Sequence, residues 1–246
     1  MTKPPKSLWY NFLLSFGTFF FRHRNNLFPT TFILLFTFSR PQPFFGNYAW
    51  DHWWMLFGAL VAVAGQCFRL AVIGYAYIKR GGKDGKVYAD DLVIRGFYAH
   101  CRNPMYFGNM LIVIGLSLMY NSPATYLIVI PLFSLVYLSI VIAEENYLRQ
   151  KFGRQYEEYE RKVSRFIPNW KGLQKSLSEF KYDWKKALRK DYGNVFVVIF
   201  FINVVWAWKN YVAWGPSAVY SGIAAIACLT VFYFIIRILK KKGQLA

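Results

Sequence analysis

The sequence predicts an all-α, polytopic membrane protein with about six transmembrane helices, and three observations lead there. The 246 residues are 56% hydrophobic and 21% aromatic, above the roughly 45–50% apolar usage of soluble domains. The apolar residues are bunched into long runs rather than dispersed. The 30 Lys and Arg against 12 Asp and Glu, a formal charge of +18, gather between alternate runs.

In chain order, residues 1–26 carry Lys3 and Lys6, an apolar run, and then Arg22-His23-Arg24. No small-residue cleavage site precedes the basic triplet. The stretch is therefore expected to be a retained interfacial helix with Trp9 and Tyr10 at headgroup depth. Spans are expected at 27–39, 53–78, 106–120, 124–142, 194–212 and 218–238. The first is short, and the second, 26 residues and about 39 Å as a helix, tilts or protrudes. Asn121-Ser122-Pro123 is a tight turn, making 106–142 a helical hairpin. This divides the chain into an interfacial segment (1–26), a membrane core (27–193, motifs within 90–168), and a C-terminal hairpin with a basic tail (194–246).

Charge sets the expected orientation. Loop 79–105 carries Lys79, Arg80, Lys83, Lys86, Arg95 and Arg102, the segment 143–193 is richer still, and the tail has Arg237 and Lys240–Lys242. The other connections hold only Arg40 and Lys209. The basic loops and both termini are thus expected to be cytoplasmic. The segment 143–170 reads as an amphipathic helix at the membrane face, broken at Gly153. Lys and Arg in 171–192 suit anionic lipid headgroups, each worth on the order of 1 kcal/mol. Nucleic acid is not an expected partner, since no recognised nucleic-acid-binding fold or motif accompanies the charge.

Polar residues within apolar runs are the candidates for chemistry. Arg102-Asn103-Pro104 opens the helix at 106–120, reading either as a cap or as the edge of a site. Glu144 and Glu145 close the span 124–142, reading either as an exposed helix end or as groups that meet a cationic or hydroxylated ligand. Because the two helices are antiparallel, both elements lie at one end. Arg69 and Gln66 lie within 53–78. Arg69 reads as a substrate-binding group or as a side chain that snorkels to the headgroups. His23 and His52 read as interfacial, with only His100 near the suspected site. Cys67, Cys101 and Cys228 are far apart and suggest neither metal nor disulfide, only small apolar fillers.

In order, the residues Leu92-Val93, Gly96-Phe97-Tyr98, Arg102-Asn103-Pro104-Met105-Tyr106-Phe107-Gly108, Glu144-Glu145, Phe152-Gly153, Tyr156, Tyr159 and Pro168 resemble the isoprenylcysteine carboxyl methyltransferase and phospholipid methyltransferase family of membrane enzymes. The resemblance covers 90–168 and, more weakly, helix 53–78. It implies methyl transfer from S-adenosylmethionine to a membrane lipid or lipidated acceptor, with a cytoplasmic cofactor pocket under the hairpin and no metal. Leu92, Val93, Tyr98, Asn103, Pro104, Met105, Tyr106 and Glu144 would line that pocket, with Arg102 and Glu145 near the reacting centre. Tyrosine faces suit a sulfonium and an adenine, a carboxylate suits hydroxyl or ammonium groups, and an arginine at a helix start suits a carboxylate. Asn103 stands where the family has His. Ile140 stands where the prenylcysteine enzymes have Arg, which leaves the acceptor open among amine, phosphate and carboxylate. Two other readings remain: an NADPH-dependent membrane sterol-type reductase, which shares a similar closing module, and a non-catalytic lipid-binding protein.

Overall fold

In the computed structural model, residues 8–75, 89 and 91–241 are described, and they are helical as the composition predicts. The elements are α1 (Leu8–Phe38), α2 (Tyr48–Tyr75), α3 (Pro104–Tyr120), α4 (Ile130–Phe152, continuing a π-helical turn Thr125–Val129), α5 (Arg154–Lys162), α6 (Leu173–Ser178), α7 (Trp184–Trp214) and α8 (Tyr220–Lys241). Among the described residues four helices are long and apolar enough to cross a bilayer: Tyr48–Tyr75, Thr125–Phe152, Trp184–Trp214 and Gly222–Lys241. Pro29–Phe38 and Pro104–Tyr120 are shorter apolar helices. The chain is an integral membrane protein.

Two expected boundaries shift. The interfacial segment and the first span are one helix, α1. It runs unbroken through Arg22 and His23, whose side chains are exposed, and tolerates Pro29 in its interior. Helix α7 begins ten residues before the expected span, because Asp183 caps it by accepting from the Lys186 N–H (2.9 Å). The hairpin is as expected. Asn121 ends α3 in the left-handed region (φ 52°), and its side chain donates to the Gln42 carbonyl (2.9 Å) and accepts from Tyr126 (2.7 Å). Most of loop 79–105 up to Asp90, including Lys79, Arg80, Lys83 and Lys86, lies outside the described residues.

Small residues set the helix approach. A Cβ on Gly65 would lie 2.7 Å from the Gly108 carbonyl oxygen, and one on Gly58 would lie 2.7 Å from that of Gly115. Both pairs are one heptad apart, so α2 and α3 pack backbone to backbone along their length. Gly17 brings α1 equally close to α4 at Ser139. Ala62, Ile112, Val113, Leu116, Met119, Tyr120, Phe133, Val198 and Val205 fill the centre, with Phe32 and Leu35 of α1 against them.

Contacts fix which ends coincide. Tyr10 of α1 meets Asn146 of α4, Arg69 of α2 meets Asp191 of α7, and Lys240 of α8 lies over the Tyr192 ring. The N-termini of α1, α3 and α7 therefore share one end with the C-termini of α2, α4 and α8. Exposed Trp9, Trp170, Tyr182 and Trp184 ring that end, while Tyr48, Trp50, Trp53, Trp214 and Tyr220 ring the other. This is the pattern of two interfacial aromatic belts.

Candidate functional site

The site is built where α3 begins. Gly96 (φ 58°) opens a 3-10 turn over Gly96–Ala99, and Pro104 starts α3 at a position where its missing N–H is no loss. Between them, residues 100–103 form a lip pinned to the segment after α5. The Arg102 N–H donates to the Ser164 carbonyl (2.9 Å) and the Asn169 N–H to the His100 carbonyl (3.0 Å). His100 is buried, with Nδ1 2.6 Å from the Asn169 carbonyl and Nε2 2.8 Å from Ser176 Oγ. A carbonyl only accepts, so Nδ1 is the donor toward Asn169, and Nε2 pairs with the serine hydroxyl.

Glu145 is 2% exposed and both its oxygens are engaged. Oε1 accepts from Asn103 Nδ2 (3.1 Å) and faces Arg102 Nε at 3.4 Å. Oε2 accepts from Arg165 Nε (3.1 Å), and Arg165 Nη2 lies 3.0 Å from it in the ion pair. Arg102 Nη1 reaches Glu160 (2.9 Å), which Arg149 also holds (2.7 Å). Charges thus alternate along Arg165, Glu145, Arg102, Glu160 and Arg149, three cations against two carboxylates, leaving one net positive charge. Burial alone would raise the Glu160 carboxyl, but hydrogen bonds and charge from Arg149, then Arg102, hold it below its ordinary value.

Glu144 points elsewhere: its Oε1 accepts from the Tyr106 hydroxyl (2.7 Å), and the Tyr106 ring lies 5.6 Å from that of Tyr137. Val93 and Met105 pack against buried Tyr98, Phe97 and Val72, whereas Leu92 packs on the neighbouring cluster of Ala89, Leu148, Tyr156 and Tyr159. Tyr159 ties the clusters together by donating to the Tyr98 carbonyl (2.7 Å). Cys101 is a buried filler, its thiol directed at the Phe166 carbonyl (3.1 Å) and pushed up to about 11 by burial.

The structure therefore brings Arg102, Asn103 and Glu145 into contact, pairs Tyr106 with Glu144, and stacks Val93, Tyr98 and Met105 beside them. Arg69 stands apart. Its guanidinium is bidentate to Asp191 (Nε to Oδ2, 3.2 Å) and also donates to Asn109. Gln66 Nε2 donates to the same Asp191 oxygen (2.7 Å) and Asn194 donates to Gln66 Oε1 (2.6 Å). Sequence reasoning missed Arg149, Glu160 and Arg165, which look like one solvated helix face, and Asp191, a single acid in a basic run.

Residues 53–155 match the phospholipid methyltransferase family. That segment holds α2 through α4 and the Gly153 break, with Arg69, Arg102, Asn103, Tyr106, Glu144 and Glu145. It excludes α1, α7, α8, Glu160 and Arg165. Among curated proteins, the chain is 29% identical over 135 residues to the cobalt-zinc-cadmium resistance protein CzcN of Cupriavidus metallidurans (54% of this chain, 59% of that protein). It is 28% identical over 123 residues to the nickel-cobalt-cadmium resistance protein NccN of Alcaligenes xylosoxydans xylosoxydans (50% and 56%). It is 27% identical over 124 residues to protein-S-isoprenylcysteine O-methyltransferase B of Arabidopsis thaliana (48% and 61%). The matches thus span somewhat over half the length of these relatives. No solved structure matches the chain.

Proposed function

Since its segment 53–155 is of the phospholipid methyltransferase family, we propose that this protein transfers a methyl group from S-adenosylmethionine to a lipid or lipid-linked acceptor at the cytoplasmic membrane face. The observation that carries the reading is the convergence, at one end of the helix bundle, of the α3 lip with the Glu144-Glu145 pair.

The donor set fits the cofactor's chemistry. A zwitterionic amino-acid moiety needs a cationic and an anionic partner, and the lip offers a net-positive centre around Arg102 beside the Glu144 carboxylate. Tyr98 and Tyr106 supply aromatic faces, and Leu92, Val93, Pro104 and Met105 supply apolar walls. When bound, S-adenosylmethionine supplies an electrophilic methyl group on a sulfonium. The residues contribute alignment and water exclusion, the main resources for an in-line displacement. Glu144, oriented by the Tyr106 hydroxyl, is assigned to cofactor hydroxyl or ammonium groups. Asn103 and Glu145 hold the lip in place, with Arg102 turned by Glu145 and Glu160 toward an anionic group.

Orientation follows from charge. Among the described residues the far end carries only Arg40 and Lys209, while the site end carries Arg149, Arg154, Arg161, Arg165 and the lysines of 171–190. By the positive-inside bias the site end is cytoplasmic. Exposed Lys171, Lys175, Lys181 and Lys185, flanked by exposed Ile167, Trp170, Tyr182 and Trp184, suit an anionic leaflet.

The test is calorimetric titration of detergent-purified protein with S-adenosylhomocysteine beside NADPH. Saturable binding of the homocysteine product, with none of NADPH, is expected. Binding of NADPH alone would replace this reading with a reductase, and binding of neither by folded protein would replace it with a lipid-binding shell.

A further inference from the structure

Helices α2 and α7 carry the same charge pattern. Each has an acid near its start and a base 18 residues later: Asp51 and Arg69 on α2, Asp191 and Lys209 on α7. Eighteen residues are about five turns, so both charges lie on one face of each helix, about 27 Å apart. Because the helices run antiparallel, acid meets base at both rungs. Lys209 Nζ lies 2.7 Å from Asp51 Oδ1, and Arg69 is bidentate to Asp191. All four side chains are buried. A slip by one turn, about 5.4 Å, would leave all four charges unpaired in an apolar interior. The pattern therefore specifies a single register.

The rungs differ in what lies beside them. The Asp51–Lys209 rung sits at the far end, where Asp51 also accepts from the Phe44 N–H (3.0 Å). The Arg69–Asp191 rung sits beneath the lip. A Cβ on Gly108 would lie 2.7 Å from Arg69 Cγ, so the arginine stem fills the notch that Gly108 leaves one turn after Pro104. From there the guanidinium reaches Asn109 of α3 and Asp191 of α7 together. Gln66, which donates to Asp191, and Asn194, which donates to Gln66, extend the network.

We infer that Asp191 is a positioning residue of the candidate site: through Arg69 and Asn109 it sets where the first turn of α3, and with it the lip from Arg102 to Tyr106, stands relative to α2. Helix α7, which lies outside the family-matched segment, is then part of the site's construction. Arg69 acts from beneath the lip, through its contacts to Asn109 and Asp191. The inference rests on the methyltransferase reading only for its second readout.

The experiment compares two chemically equivalent lesions, Asp191→Asn and Asp51→Asn, in detergent-solubilised full-length protein. Amide hydrogen exchange over residues 96–109 is the first readout and needs no ligand. Loss of the upper rung is expected to speed exchange there by about tenfold, whereas loss of the lower rung speeds it at 39–47 and 121–125 and leaves 96–109 at the wild-type rate. S-adenosylhomocysteine affinity is the second readout, falling in Asp191→Asn only. Unchanged exchange over 96–109 in Asp191→Asn, or the same pattern in both variants, overturns the inference. Should Asp191→Asn not fold, Gln66→Leu removes one neutral member of the same network, with its bonds to Asp191 and Asn194, and is expected to act in the same direction at 96–109. Its failure to do so is equally decisive. A wild-type protein that binds no homocysteine product refutes the proposed function, while the exchange comparison still decides the role of Asp191.

Discussion

Replacing Glu145 with glutamine tests the construction of the lip most severely, because shape is kept and only charge and one acceptor are lost. In the native protein Oε2 accepts from Arg165 Nε and pairs with its guanidinium, and Oε1 faces Asn103 and Arg102. The amide must turn its NH2 toward either Arg165 or Asn103, so donor meets donor on one side whichever way it flips. The charge of the five-member centre also rises from +1 to +2. Breaking a buried, hydrogen-bonded charge pair from one side costs about 3–5 kcal/mol. For a chain of this size that lowers the unfolding midpoint by on the order of 10 °C. Thermal unfolding of the detergent-solubilised variant, followed by tryptophan fluorescence, measures it. Glu144→Gln is the control: it keeps the shape and the oxygen that accepts from Tyr106, outside the five-member centre, and should melt within about 2 °C of wild type. A Glu145→Gln midpoint as close to wild type as that of Glu144→Gln would refute the reasoning that Glu145 holds the lip.

Glu144→Ala should weaken S-adenosylhomocysteine binding by about tenfold or more, the loss of one charge-assisted contact, with the fold intact by circular dichroism. Gly65→Leu should prevent close packing of α2 on α3, since even its Cβ would fall 2.7 Å from the Gly108 carbonyl oxygen. It should cost several kcal/mol in the same unfolding assay, about the upper range for core overpacking. The Glu160 carboxyl is held below its ordinary value, so its stabilising contribution is complete above the unfolded-state value near 4.5 and is lost as pH falls through the lower folded-state value. The unfolding midpoint should drop over that acidic window in wild type and less steeply in Glu160→Gln. Cys101, buried and with its thiol pushed up to about 11, should resist maleimide at pH 8 in the folded protein and react once the chain is unfolded in dodecyl sulfate, as peptide mass mapping would show.

Much of the fold was legible because its signals are local. The apolar runs, the Asn121-Ser122-Pro123 turn and the Gly153 break each name a short stretch whose backbone preference decides the outcome. Helix α1 was divided at Arg22-His23-Arg24 because charge argues for an interface. Yet nothing there breaks a helix, and packing of Gly17 on Ser139 and of Leu35 beside Tyr120 carries α1 past the triplet. In the candidate site, Arg102, Asn103 and Glu145 could be placed together from the antiparallel hairpin alone. Their partners could not. Arg149 and Glu160 meet only because the chain turns back at Gly153, and Arg165 meets Glu145 only after a further loop. Asp191 was hidden by its basic neighbours, although the repeated 18-residue acid-to-base spacing in 51–69 and 191–209 was present in the sequence. Arg69, an arginine in an apolar run, drew attention as a substrate-binding group. What the run could not show was a carboxylate 122 residues away that engages it through both oxygens.

Methyl transfer into lipid can be measured directly. Purified protein is incubated with S-adenosylmethionine labelled in its methyl group and with total lipid extracted from the host membrane, and the organic phase is counted. Label is expected in the organic phase with wild-type protein, and background counts with Glu144→Ala. Wild-type protein that binds S-adenosylhomocysteine saturably yet leaves the organic phase at background would contradict it.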